Sequence, residues 1–418
     1  PWSETEIYLS RGTTYPFLYS VQDMLPNAPS GYRESEASST LASYEDQDIP
    51  EGEKITVVGI MLEAFSDLTD FPVLDDIPAV HEIYEPLHEL EERSISGRLL
   101  TNIFAGGTVD TEWGYLTGYS THEEFRSPVN TYVRYFKSQG YDALYRHPGY
   151  SWFYNRSNVN EYLGFDECVF NDTGFGDLIS ISDALYHSDK VLVDYLLNDI
   201  DSRTVEDDPL FLFSVSYQNH GPYPSETYWE EYATPEKNGW SMQTCCVINN
   251  YLAGIRSTIN EMCRMTEELE ARKEPIVFVF FGDHKPWMGN GNSVYTEIGV
   301  DLDVSTLEGF YNYYATPYVI YANEAARELF GSDFAGDGGD FSPCFLMARL
   351  FDECGWEGPG LMQLQREMRE VSPLMSSNGW RLIDGQLTSE LTGAAEDENE
   401  RYLRAQYYIE THLKEDAS

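Results

Sequence analysis

Five β-rich runs of the 418-residue chain lead into residues whose types could do metal or phosphoryl chemistry. Ile55–Leu62 ends in Glu63, and Ala143–Arg146 ends in His147. Leu210–Tyr217 runs into Asn219-His220-Gly221-Pro222-Tyr223, and Pro275–Phe281 into Gly282-Asp283-His284. Leu99–Phe104 leads to Gly106-Gly107-Thr108-Val109-Asp110-Thr111-Glu112. Glu63, Asp283 and His284 offer two carboxylates and an imidazole, a donor set suited to Mn²⁺, Zn²⁺ or Mg²⁺. A hydroxyl such as that of Thr108 is a weak nucleophile at neutral pH and needs a metal or a base beside it. Coordination would lower its pKa, and the same ion would neutralise charge on a phosphoryl oxygen. The glycines allow close approach, and a helix start at Thr108 favours anions. Each cluster also has a plain structural reading. A Glu after a strand is usually solvated, Gly-Gly-Thr is commonly a turn with Thr as N-cap, and His220 before Gly-Pro fits a turn. Their shared place at strand ends favours the chemical reading, because open α/β sheets bind ligands outside the carboxyl ends of their strands.

These clusters require a scaffold of short strands alternating with helices, the pattern of an α/β sandwich. Tyr318–Tyr321 adds a further strand. Helices are expected over Val129–Gln139, Ser182–Asp199 and Val247–Ala271. The first carries Val129, Tyr132, Val133 and Phe136 on one face and stops at Gly140; the second has Leu185 on its apolar face and Ser182 as N-cap. Residues 1–50 read as an irregular strap with Gly12, Pro16, Pro26 and Pro29, residues 51–345 as the catalytic domain, and 346–418 as a smaller C-terminal subdomain ending in a polar helix near Glu396–Leu413.

Composition excludes several functions. With 26 basic and 71 acidic side chains the formal charge is −45, so a nucleic-acid phosphate backbone is no partner, and broad docking on an anionic membrane is opposed. An anionic substrate then needs a local cation, which again points to a metal. No apolar run reaches the roughly 18–20 residues that span a bilayer. The chain opens at Pro1 without a basic or apolar leader, and the expectation is a segment trimmed of its targeting element. Six cysteines make no framework; Cys344 and Cys354 are the pair that could bridge across a short loop.

Taken in order, the motifs resemble those of the lipoteichoic acid synthase family of phosphoglycerol transferases, within the alkaline phosphatase and sulfatase superfamily. The segments concerned are Val57-Val58-Gly59-Ile60-Met61-Leu62-Glu63, Gly107-Thr108 through Trp113 with Leu116-Thr117-Gly118, His147 with Phe153-Tyr154-Asn155-Arg156 and Gly164-Phe165-Asp166, Asn219 to Tyr223, and Phe281-Gly282-Asp283-His284. The resemblance implies an alkaline-phosphatase-like α/β/α sandwich with a mostly parallel central sheet and a C-terminal α+β subdomain. It implies one divalent ion, Mn²⁺ first with Zn²⁺ or Mg²⁺ as alternatives, on Glu63, Thr108, Asp283 and His284, with Thr108 as nucleophile. His147, Tyr154, Arg156 and His220 would form the headgroup pocket. The implied partners are a phosphatidylglycerol-type lipid and a glycerol-phosphate or glycolipid acceptor, at the extracellular face of a bacterial membrane, with anchoring by an N-terminal transmembrane region not in this sequence. Tyr154 stands where Trp is expected, and Pro148-Gly149 where polar residues are. Alternatives are a phosphodiesterase or phosphatase, a phosphoethanolamine transferase, a sulfatase-like hydrolase and a non-catalytic wall-binding module. A formylglycine sulfatase needs Cys-x-Pro-x-Arg or Ser-x-Pro-x-Arg, and neither occurs at Thr108. Arg156 is expected to grip two phosphate oxygens, the plain alternative being a pair with a carboxylate such as Asp166.

Overall fold

Apolar runs rich in Val, Ile and Phe form the central strands: β1 (Thr56–Leu62), β5 (Leu210–Val215) and β6 (Ile276–Gly282). The computed structural model describes residues 27–175, 188–203 and 207–414. The remaining strands of the main sheet are β2 (Ile95–Leu100), β3 (Asp142–His147), β4 (Glu167–Phe170), β7 (Ala315–Ala322) and β8 (Gly336–Asp337), in the order β4-β3-β5-β1-β6-β7-β2-β8. Only β7 runs against its neighbours. The carboxyl ends of β1, β2, β3, β5 and β6 therefore open on one rim. Register completes the alignment: Met61 lies beside both Val215 and Phe281, and Arg146 beside Ser214. Two residues further along, Glu63 comes level with Asp283, while Ser216 and His147 lie one and two residues short of them on the same rim.

β1, β5 and β6 are almost wholly buried because helices cover both faces. Val57 and Met61 face one cluster with Tyr115 and Phe136; Val58, Ile60 and Leu62 face another, with Leu87, Leu196 and Ile255 from the helices Pro78–Glu91, Asp189–Asp201 and Met242–Glu270. Of the expected helices, the first spans Tyr132–Ser138, capped by the Thr131 side chain. The second begins at Asp189; Ser182 and Leu185, like Gly12, Pro16 and Pro26, lie outside the described residues. The strand expected at Leu99–Phe104 starts at Ile95 and stops at Leu100, leaving the approach to Thr108 as loop.

Near the C-terminus, the helices Leu346–Cys354, Gly360–Val371 and Ala394–Thr411 accompany a small hairpin of β9 (Arg381–Ile383) and β10 (Gln386–Thr388). Leu346, Met362 and Tyr402 bury in the same cluster as Met61 and Phe136. Cys344 and Cys354, the pair that could bridge, do not: all six cysteines are free thiols. A helix fills the interval expected to be a loop. At about 1.5 Å rise per residue it holds the two ends roughly 15 Å apart, far beyond disulfide reach.

Candidate active site

Two neighbouring strand ends build the first wall of the site. The carboxyl of Asp283 is oriented by backbone: Oδ1 accepts from the N–H of Ala64 at 2.8 Å and of His284 at 2.7 Å. That leaves Oδ2 buried without a hydrogen-bond partner among the described residues. Ala64 adopts left-handed backbone (φ 49°) to make its contact, a strain that a functional position tolerates. Gly282 is required for the approach, since a Cβ there would sit 2.1 Å from the carbonyl oxygen of Phe65. His284 Nδ1 lies 2.9 Å from the carbonyl of Lys285. Donation to that carbonyl makes Nε2 the acceptor nitrogen. Nε2 is buried with no hydrogen-bond partner among the described residues, 3.3 Å from Asp283 Oδ2 and 3.8 Å from Glu63 Oε1. Glu63 is itself buried, with its N–H on Ser216 Oγ at 2.9 Å.

Glu63, Asp283 and His284 thus bring three donor atoms within 4.8 Å of one another. Burial, then the charge of Asp283, pushes the Glu63 carboxyl well above its ordinary value, partly offset by Arg156. Two buried carboxylates and an imidazole lone pair aimed at one point are costly unless a cation lies between them. The donor set fits a divalent ion.

Thr108 lines the same cavity, of about 290 Å³, as Glu63 and His284. Ala105, Gly106 and Gly107 all have positive φ (60°, 145° and 85°), and this turn delivers Thr108 to the N-cap of the helix Val109–Thr117. That helix is tied to β6 where the Thr111 hydroxyl donates to the Asp283 carbonyl at 2.7 Å.

The opposite wall carries the other expected residues. His147, Tyr154, Arg156 and His220 all line the cavity. His147 Nδ1 is fixed on the Val215 carbonyl at 2.9 Å. A Cβ at Gly149 would lie 2.3 Å from His147 Nε2, so this Gly is what lets the chain pass over the imidazole. His220 Nδ1 lies 2.6 Å from the Gly221 carbonyl. Arg156 is 2% exposed, and its carboxylate partner is Glu112 rather than Asp166. Nη2 donates to Glu112 Oε2 at 2.8 Å, and Nε donates to the Tyr145 hydroxyl at 3.1 Å. Tyr145 in turn donates to Glu112 Oε1 at 2.9 Å. Asp166 instead binds Lys137 and the N–H of Ala143. One edge of the guanidinium is therefore committed within the protein, and Nη1 is the edge that can face a ligand.

Sequence reasoning missed Glu112 as the anchor of Arg156 and Trp287 as a cavity wall, whereas Phe153 lines the cavity together with the rest of its segment. Glu112 lies four residues after Thr108, which puts both on one helix face; that spacing was the available signal. Lys285 was also missed. It is buried beside Phe71 with its ammonium 4.0 Å from Asp70 Oδ2, and burial lowers it to about 8.

Known proteins share this framework. A protein of Rhizobium meliloti (strain 1021) named for cyclic beta-1,2-glucan modification is 24% identical over 382 residues, covering 86% of this chain and 55% of its own. The capsular polysaccharide biosynthesis protein RkpI of the same organism is 27% identical over 236 residues, covering 54% of this chain and 40% of its own. The chain thus spans about half the length of the curated relatives it matches. Among solved structures, the phosphoglycerol transferase GacH of Streptococcus pyogenes, in complex with sn-glycerol-1-phosphate, superposes with a TM-score of 0.64 at 17% identity, over 91% of this chain and 94% of that one. The lipoteichoic acid synthase LtaP of Listeria monocytogenes gives a TM-score of 0.58 at 14% identity, over 90% and 96%. At such identities the likeness is one of fold. The model of the Sulfatase family matches residues 55–336, from the start of β1 to β8 and through both walls of the cavity, and the chain belongs to the Sulfatase family.

Proposed function

We propose that the chain is a metal-dependent phosphoglycerol transferase that works through a phospho-Thr108 intermediate. One observation carries the reading: Glu63 and His284 share a cavity with Thr108, and Asp283 completes their donor set. Glu63, Thr108, Asp283 and His284 would hold the ion, Mn²⁺ first and Zn²⁺ or Mg²⁺ as alternatives. When bound, it supplies a lowered pKa at the Thr108 hydroxyl and screening of phosphoryl charge.

The rest falls to the chain's own residues. Arg156 Nη1, held in place by Glu112, orients the phosphoryl oxygens, and the Tyr154 ring, 5.2 Å from the guanidinium, closes that side. Thr108 Oγ gives up its proton to a base at the cavity wall and bonds to the phosphorus of a phosphatidylglycerol-type donor while the bond to the diacylglycerol oxygen breaks. The departing oxygen takes a proton, for which His220 and His147 are the groups at the cavity wall. An acceptor hydroxyl then attacks the phosphorus of the phosphoglycerol-bearing Thr108, the bond from phosphorus to Oγ breaks, and the acceptor's proton passes to Oγ, which restores Thr108. The acceptor is glycerol phosphate or a glycolipid, and the saccharide names of the two curated relatives support a sugar-bearing one. The setting is the extracellular face of a bacterial membrane, with anchoring from outside the described residues, none of whose helices is long and apolar enough to cross a membrane.

The test is mass analysis after incubation with phosphatidylglycerol and Mn²⁺. The expected result is diacylglycerol release with a phosphoglycerol adduct on the Thr108 peptide, discharged when acceptor is added. Release of glycerol phosphate with no adduct would show hydrolysis by water, and an adduct formed only from phosphatidylethanolamine would reassign the headgroup.

A further inference from the structure

The rim of the cavity carries large side chains that the chemistry above leaves unused. Trp152 is 68% exposed, and Tyr150, Phe153 and Trp287 are each more than a third exposed. Tyr150 and Trp152 are stacked, with ring centroids 5.9 Å apart and planes at 27°. Trp152 meets Phe153 edge-on at 5.8 Å, and Phe153 meets Tyr154 at 4.4 Å. The rings thus form a continuous track from solvent into the cavity, which Phe153, Tyr154 and Trp287 line. The backbone beneath them is strained: Tyr154 and Asn155, both with a side chain, hold left-handed φ of 55°. Contiguous exposed aromatic surface marks an interaction site, and strain of this kind persists where presentation of a side chain requires it.

Charge decides what the outer part of the track receives. The segment Pro148 to Asn155 contains no Lys or Arg; Arg156 and His147 are buried at its inner end, and the charged groups bonded to its exposed part are acidic. Ser151 donates from its N–H and its hydroxyl to the Asp172 carboxylate (3.1 and 2.6 Å), and Asn155 donates to Glu124 at 3.3 Å. An anionic lipid surface would meet repulsion here, and nothing in the segment offers it a cation. An uncharged saccharide fits both features. The C–H face of a pyranose lies flat on an exposed indole, while its hydroxyls donate to neighbouring carboxylates.

We infer that Tyr150, Trp152 and Phe153 form the acceptor subsite, a stacking platform for a neutral glycan whose terminal hydroxyl is led toward Thr108. The glycan's role as acceptor rests on the transferase reading above; its binding does not. The test is calorimetric titration of the full chain with a neutral cyclic β-1,2-glucan, repeated on Trp152→Ala and Trp152→Phe, beside sedimentation with phosphatidylglycerol vesicles. Saturable binding is expected, weakened about tenfold in Trp152→Ala and largely kept in Trp152→Phe. Melting temperatures should not move, because the residue is exposed. No binding by the unaltered chain, or equal affinity in Trp152→Ala, would overturn the assignment. So would loss of vesicle sedimentation with glycan affinity intact, which would make the rim a lipid contact. Because binding is read without turnover, an inactive enzyme that still binds glycan through Trp152 would refute the transferase reading and leave the platform standing.

Discussion

The two walls of the cavity are built by opposite means. On the ion side, Glu63, Asp283 and His284 follow the ends of adjacent parallel strands and are almost inaccessible to solvent. Backbone groups fix Asp283 Oδ1 and His284 Nδ1, so that the opposite atom of each side chain faces the other. On the rim side, Tyr150 to Asn155 form a turn and a single 3-10 turn with two left-handed residues, and the rings stand in solvent. Chemistry that needs donors placed within a fraction of an ångström sits on the rigid sheet. Recognition, which must accommodate a substrate, sits on a loop. The difference teaches that the buried donor cluster is held by strand ends, whereas the exposed rings stand on a loop that can vary without disturbing it.

If that division is right, the ion wall should break catalysis without breaking the fold. Thr108→Ala should cost several orders of magnitude in turnover, with the melting temperature and bound metal little changed; Thr108→Ser should keep partial activity, since the hydroxyl survives. Near-normal turnover in the alanine variant would assign attack to water or to another residue. Glu63→Gln comes next. It removes one charged donor of a buried set, and metal content by elemental analysis should fall at least about tenfold in affinity. Because the variant also relieves repulsion between Glu63 and Asp283, the metal-free protein should be no less stable. Full metal occupancy in Glu63→Gln would move the ion away from the strand ends.

The boundary between the walls is the Glu112–Arg156 pair, the place where substrate recognition reaches into the core. Glu112→Gln leaves a buried guanidinium without its counter-charge and should cost about 3–5 kcal/mol in urea unfolding. Replacing both residues by apolar ones of similar volume should recover much of that stability and none of the phosphoglycerol affinity. Arg156→Lys should weaken phosphoglycerol binding by about 1–3 kcal/mol. It should also lower the melting temperature, because an ammonium cannot reach Glu112 and Tyr145 in the same geometry. Unchanged stability with weaker binding would mean that Arg156 serves the ligand alone.

How far all this could be read from sequence follows the same division. The ion wall was legible because each donor follows a long apolar run, and such runs are visible without knowing their neighbours. Parallel order and register, which make Glu63 and Asp283 level, were inferred only as a condition. β4 was missed since Glu167–Phe170 is a four-residue edge strand, half exposed, with no apolar run to announce it. The partner of Arg156 was misjudged in identity: Glu112 and Asp166 are both acidic, and only the packing of the Val109–Thr117 helix against β3 chooses between them. The sequence left the pairing of Cys344 and Cys354 open, and the helix Leu346–Cys354 decides it by separating the thiols. Trp287 was unreadable as a cavity wall because aromatic residues in loops are too common to single out.

The smallest effect expected tests whether the rigidity of the ion wall continues one layer deeper. Asp189 opens the helix Asp189–Asp201 and is 1% exposed. Its Oδ2 accepts from the Thr258 hydroxyl at 2.5 Å, and it also bonds Ser216, the residue that receives the Glu63 N–H. Its Oδ1 has no hydrogen-bond partner among the described residues. Burial raises this carboxyl from 3.8 to about 6, partly countered by the bonds to Thr258 and Ser216. Since the folded pKa lies above the unfolded one, the folded state holds a proton that the unfolded chain has released. The stabilisation is therefore complete below about 3.8, declines as pH rises through about 6, and is gone above that. A shift of this size corresponds to at most about 3 kcal/mol. Asp189→Asn keeps the acceptor for Thr258 and removes the titration. With metal present in both proteins, the variant should be the more stable above about pH 6. Its advantage should shrink toward about pH 4, where the wild-type carboxyl is protonated. Melting temperatures across that range decide the matter. A constant difference would show that Asp189 is not titrating there, and that its contact with Ser216, with its charge left out, is what supports Glu63.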